Sequence, residues 1–86
     1  MRSTQTSVTT TATLLVASST VNRDIVIHSA STTDVYLGSS TVSTSTGFLL
    51  EKNDGPLAVT VPAGETIHGI VSTGTETVTV GLVQVA

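Results

Sequence analysis

The sequence predicts an all-β chain, a small antiparallel β-sandwich or barrel of seven to eight short strands. Three observations predict it. Apolar residues recur two apart, as at Ile25 and Ile27 or Val78 and Val80, the period of a half-buried strand. Clusters of Gly, Pro, Asn, Asp and Ser interrupt these stretches about every 8–12 residues, the spacing found in sandwiches and barrels. There are 18 threonines and 11 serines among 86 residues, beside many valines. Thr and Val are stiff at χ1 and fit a pleated surface, whereas Ser suits turns. No stretch has helical periodicity and no repeat of fixed period is present.

Residues 1–7 are polar and carry no turn signal. They read as a flexible or partner-dependent arm, which leaves residues 8–86 as a single β domain. A first strand is expected to start near Val8. A second apolar stretch covers 12–17, and a turn follows at 18–22. Residues 23–29 form a strand with Ile25 and Ile27 on one face and Val26 and His28 on the other. A turn at 30–33 leads to a strand at 34–37 that Gly38 ends. Residues 39–47 make a Ser/Thr-rich loop, too short for a linker and pinned by Val42. Phe48 opens the next strand. The Lys-Asn-Asp-Gly-Pro run at 52–56 is a turn, because Asn, Asp and Gly tolerate positive φ and Pro lacks a donor. Residues 57–61 alternate, with Leu57, Val59 and Val61 on one face. After a turn at 62–65, the strand at 66–71 contains Gly69, a mark of a bulge or a close backbone approach. In the last strand, 76–85, Gly81 is expected to break the register.

Composition limits what such a domain can do. A chain this short buries only about 60–65% of its unfolded surface. There is no cysteine for disulfides or thiolate metal sites. Phe48 and Tyr36 are the only aromatic residues, so the core is thin and aliphatic. Burying one aliphatic side chain contributes about 1.5–3 kcal/mol, whereas ordering costs about 1.5 kcal/mol per residue. Burial between subunits is therefore expected to matter. The net charge is −3, and Arg2, Arg23 and Lys52 are the whole cationic set. Nucleic-acid binding needs clustered cations, so no nucleic-acid partner is expected. Neither a membrane span nor the apolar region of a signal peptide is visible, which fits synthesis in a cytoplasm and no membrane partner.

Reactive constellations are scarce. His28 and His68, with Asp24 or Glu65, have the residue types of a zinc site. They are forty residues apart with no local ligand motif, so no metal or cofactor is expected. Ser, His and Asp are all present, but no G-x-S-x-G elbow marks a nucleophile, so no catalytic residue is assigned and no enzymatic activity is expected. Tyr36 and Phe48 are the only candidate stacking platforms for a sugar, and their strands read as half-buried. Function is left to surfaces. Hydroxyl-rich faces suit wet, hydrogen-bonded interfaces, and sparsely charged strand edges pair readily with other chains.

The middle of the chain carries a resemblance. It runs Ile25-Val26-Ile27-His28-Ser29, Thr33-Asp34-Val35-Tyr36-Leu37-Gly38 and Val42-Ser43-Thr44-Ser45-Thr46-Gly47-Phe48-Leu49-Leu50. Pro62-Ala63-Gly64-Glu65 and Gly74-Thr75-Glu76-Thr77-Val78-Thr79-Val80 follow. Over residues 8–85 this succession resembles small structural proteins encoded among the virion genes of tailed phages. Those have an I-x-N-like strand, V-Y-L-G, a Val-Thr-Thr-Ser-x-Gly-Phe loop, a Gly-Glu turn and a Val-rich last strand. The chain departs from them at His28-Ser29-Ala30 and in its longer turn at 52–56. The resemblance implies a β-sandwich attached to a capsid lattice, neck or tail. The expectation is a capsid decoration protein on the outer surface of the virion. Its partners would be the major capsid protein and copies of itself, as a homotrimer. Acidity favours the outside, since packaged DNA would repel it. Val8, Val42, Phe48 and Tyr36 are the expected interface residues. The alternatives are a tail, neck or head-fibre component, and a small carbohydrate-binding module.

Overall fold

A computed structural model describes residues 2–30, 33–51 and 55–85. It contains eight strands: β1 (Arg2–Val8), β2 (Thr13–Val16), β3 (Arg23–Ser29), β4 (Val35–Gly38), β5 (Phe48–Leu50), β6 (Leu57–Val61), β7 (Ile67–Ile70) and β8 (Glu76–Val85). They form two four-stranded sheets, a front sheet in the order β1-β8-β3-β6 and a back sheet in the order β2-β7-β4-β5. All pairings are antiparallel.

The order has a simple logic. The first half of the chain pairs with the second half, β1 with β8, β2 with β7, β3 with β6 and β4 with β5. Successive pairs alternate between the sheets, and the β8–β3 and β7–β4 pairings close each sheet. A long hairpin rolled up in this way is an eight-stranded jelly roll. The molecule is thus a sandwich of two separate sheets.

Alternation fixes which side chains meet between the sheets. On β3, Ile25 and Ile27 are buried, while Asp24 and His28 are exposed. Val35 and Leu37 face inward from β4, and Val78 and Val80 from β8. With Val8, Leu15, Val16, Leu50, Val61 and Val71 they make an aliphatic core. Gly69 lies inside it. A Cβ there would sit 2.9 Å from Leu15 Cδ1 and 3.3 Å from Val35 Cγ1, so the glycine marks a close approach.

Two irregularities depart from strict alternation. On β2 the register shifts between Leu14 and Val16, and this bulge turns both Leu15 and Val16 inward. On β8, Ile25 faces Leu82 and Asp24 faces Gln84, which leaves Val83 unopposed. The break expected at Gly81 therefore falls two residues later. Gly81 is held from both sides, by Ser3 on β1 and Val26 on β3.

The N-terminal segment differs from the expected arm. Arg2–Val8 is an edge strand paired with β8 along its whole length. Its inward positions are Arg2, Thr4, Thr6 and Val8, opposite Leu82, Val80, Val78 and Glu76. Beyond Val8, which is buried in the core, the ladder rather than apolar burial holds this strand, which is why hydrophobicity alone does not reveal it. The turns expected at 30–33 and 52–56 lie partly outside the described residues.

Buried polar groups tie the ends of the sandwich together. Arg23 is 8% exposed. Its Nε donates to Val21 O (3.3 Å), its Nη2 to Pro62 O (3.4 Å) and Glu65 O (3.1 Å), and its Nη1 to Ala17 O. Gly64 N donates to Ser19 O and Ala63 N to Asn22 Oδ1, each at 2.8 Å. These bonds join the β2–β3 and β6–β7 connections. At the other end, buried Glu76 accepts the Thr33 amide at 2.9 Å.

Candidate functional site

Side chains directly opposite in a ladder point to the same side, so register defines both outer faces. The front face presents Ser3, Gln5 and Ser7 from β1, Thr77, Thr79 and Gly81 from β8, His28, Val26 and Asp24 from β3, and Ala58 from β6, with exposed Val83 beside Val26 and Ala58. Thr60 Oγ1 donates to Asp24 Oδ1 at 2.8 Å across the β3–β6 pair. Its β1–β8 side is rich in hydroxyls, and a small apolar strip of Val26, Ala58 and Val83 lies towards β6.

The back face is its opposite in chemistry. Ile70, Tyr36 and Leu49 are in register across β7, β4 and β5 and form one apolar row. Leu14 and His68 stand opposite each other in the neighbouring row. Leu14 is 48% exposed and Leu49 is 40% exposed. Strand β5 is the edge of this sheet. Its Phe48, at 65%, is a large apolar side chain left mostly in solvent.

The loop 39–47 folds over one end of this face. Val42 is buried, and its Cγ2 lies beneath Gly38 and Gly47. A Cβ on Gly47 would come within 2.5 Å of Tyr36 Cβ and 3.0 Å of Ser43 O. The loop's own hydroxyls and amides order it. Gly47 N donates to Ser43 O at 2.9 Å, Val42 N to Ser39 O at 3.0 Å and Ser43 N to Thr46 Oγ1 at 3.1 Å.

The expected interface residues divide. Phe48 is well exposed, and half-buried Tyr36 sits in the apolar row. Val8 is wholly buried in the core and Val42 is 7% exposed, so neither offers surface to a partner. In each case the reason is local. Val8 is the inward end of β1, and Val42 is the plug of its own loop. Phe48 also departs from the half-buried position expected of it: paired with Leu37 it turns to the inner side, but at the open edge between β5 and β6, where it borders Leu57 and Ile67, most of its ring stays in solvent.

Leu14, Leu49 and Ile70 escape sequence reasoning, although a signal exists. Leu14-Leu15-Val16 and Phe48-Leu49-Leu50 are runs of consecutive apolar residues. A strand with one wet face alternates, so an unbroken run implies an apolar residue on the outer face.

The residue types of a zinc site are not brought together. His28 projects from the front face and His68 from the back face, where its Nδ1 lies 3.4 Å from Thr66 Oγ1. Asp24 shares the front face and Glu65 lies exposed in the β6–β7 turn. Among the described residues no group of three or more His, Cys, Asp or Glu has a metal-holding arrangement.

Comparisons with protein-family models, with curated proteins and with solved structures found no match.

Proposed function

We propose that this chain is a non-enzymatic structural subunit of a tailed-phage particle, a capsid decoration protein seated on the outer surface of the shell. One observation carries the reading: the two outer faces of the sandwich have unlike chemistry. The back face offers a continuous group, Ile70, Tyr36, Leu49 and Leu14, for contact, whereas the front face is hydroxyl-rich across β1 and β8 and has only the strip of Val26, Ala58 and Val83 as apolar surface. A module that lies flat on a lattice needs that division, one side adhesive and one side wet. Exposed apolar patches on small soluble domains mark interaction sites. Many symmetric contacts let a marginal unit stabilise a large shell by mass action. The motif resemblance to virion proteins of tailed phages supports the same reading, and jelly rolls serve in viral capsids, although a fold alone does not fix a function.

The partners in this reading are the major capsid protein and further copies of the chain, with a trimer at three-fold positions. Co-sedimentation with capsids that lack the protein tests it, together with light scattering of the purified chain. The expected result is binding in hundreds of copies per particle. A handful of copies at one vertex would mean a neck, tail or head-fibre component instead. A stable monomer that never binds capsids would overturn both.

A second reading, a small carbohydrate-binding module, is favoured by Phe48, whose exposed ring is free to stack on a sugar. A glycan array without hits above background removes it.

A further inference from the structure

At the opposite edge of the sandwich, the β1 and β2 strands leave the space between the sheets open. A groove of about 500 Å³ lies there, floored by Leu15, Val16, Val80 and Leu82 and bordered by Arg2 and Arg23. Its origin is a mismatch in strand length. Strand β1 has seven residues and β2 has four, so part of the inner face of β1 is left without a facing strand. That overhang carries Arg2 and Thr4 rather than apolar residues.

The charge distribution is uneven. The chain is acidic, with a net charge of −3 and only three cationic residues, yet two of the three line this one groove. Arg2 is exposed and has no ion pair or side-chain hydrogen bond among the described residues. The guanidinium of Arg23 is held by four carbonyl oxygens. Carbonyl dipoles solvate its charge without cancelling it, and no carboxylate among the described residues pairs with it. The groove is therefore apolar on its floor and positive at its edge.

We infer that this groove seats an extended segment of a partner chain that carries a carboxylate beside aliphatic side chains. The carboxylate pairs with Arg2 in the field of Arg23, and the aliphatic side chains cover Leu15, Val16, Val80 and Leu82. Charge complementarity selects this occupant. A wholly apolar segment would leave Arg2 at the boundary without an anion. The inference deepens the adhesion reading and rests on it only for which protein supplies the segment.

The test needs no particle. The isotope-labelled protein is titrated with an acetylated, amidated pentapeptide alternating valine and glutamate, with its glutamine counterpart, and with inorganic phosphate, while amide signals are followed by NMR. The glutamate peptide is expected to shift the amides of Arg2, Thr4, Leu15, Val16 and Leu82. Binding should weaken about fivefold in Arg2→Ala, the upper range for one exposed ion pair. It should weaken similarly with the glutamine peptide, and as salt rises from about 50 to about 500 mM. Arg2 is exposed, so its replacement leaves the fold intact, and the unchanged spectrum elsewhere checks this. Equal binding of the glutamine peptide, equal shifts from phosphate, or no shifts at about 5 mM peptide would overturn the inference. Capsid binding that survives such a result would leave the adhesion reading standing and remove only the groove.

Discussion

Two buried polar residues, Arg23 and Ser29, show how differently single side chains act in a thin core. Arg23 replaces a missing hydrophobic closure. Its fork of donors gathers the carbonyls of Ala17, Val21, Pro62 and Glu65 from two connections, and charged hydrogen bonds of this kind are worth more than neutral ones. Arg23→Met is expected to lower stability by about 2–4 kcal/mol, because it unties both connections and leaves carbonyls without a donor. Arg23→Lys should recover only part of that, since one ammonium cannot span four acceptors. Urea unfolding of the three proteins checks the order. Ser29 is the contrary case. Its hydroxyl is buried at the end of β3 with no hydrogen-bond partner among the described residues. A buried donor left unmade costs about 1–3 kcal/mol. Ser29→Ala removes the hydroxyl and little volume. Its midpoint of unfolding should stay level or rise, by up to about 1 kcal/mol in stability, and a clear loss would mean that the hydroxyl has a partner after all.

Among the elements, β1 is the one whose role differs most from its sequence. The ladder with β8 runs over seven residue pairs, and β8 carries the buried Val78 and Val80. Deleting residues 2–7 is expected to cost about 3 kcal/mol or more, given net values of about 0.5–1.5 kcal/mol per hydrogen bond. It should also bare the β8 edge and make the protein associate as concentration rises. Denaturation and light scattering of the truncated chain read both effects, and unchanged melting would return the segment to the status of an arm. The contrast explains what was legible. Strands β3, β6 and β8 announce themselves because their inward positions are apolar and their outward ones largely polar. Strand β1 is silent because three of its four inward positions are Arg2, Thr4 and Thr6, and its partner lies at the far end of the chain, Arg2 opposite Leu82 and Val8 opposite Glu76. The site divides in the same manner. Phe48 and Tyr36 stand out as the only aromatic residues, but nothing local says which member of Leu14-Leu15-Val16 faces water. The bulge on β2 decides that, and it depends on the register with β7. Loop 39–47 adds a test of its own. In Gly47→Ala, a methyl 2.5 Å from Tyr36 Cβ must displace the loop, and overpacking of this kind costs about 1–3 kcal/mol. Tyr36 fluorescence and thermal unfolding should change together.

For the molecule as a whole, the proposed adhesion raises the question of which surface would carry it. A rolled hairpin gives two sheets whose inner faces are alike and whose outer faces need not be. Here the back face exposes Leu14 and Leu49 in a molecule with only 10% charged residues. About half of each side chain is covered by its own sheet and the other half is open to a partner. A double variant, Leu14→Ser with Leu49→Ser, should therefore cost the isolated domain about 1 kcal/mol per site, half of what full burial of a leucine contributes, and binding is compared where unfolding curves show both variants folded. The proposed self-association and capsid binding should fall by about tenfold or more, the loss expected when apolar anchors at the centre of an interface are removed. The matched control is Thr77→Ala with Thr79→Ala on the front face, which trims hydroxyls without touching the apolar row. If the back face is the seat, the control binds like the parent chain. If the control is the one that loses binding, the domain lies on its partner the other way up, and the hydroxyl face is the adhesive one. Because both variants alter only outward positions of paired strands, a difference between them reads orientation rather than folding.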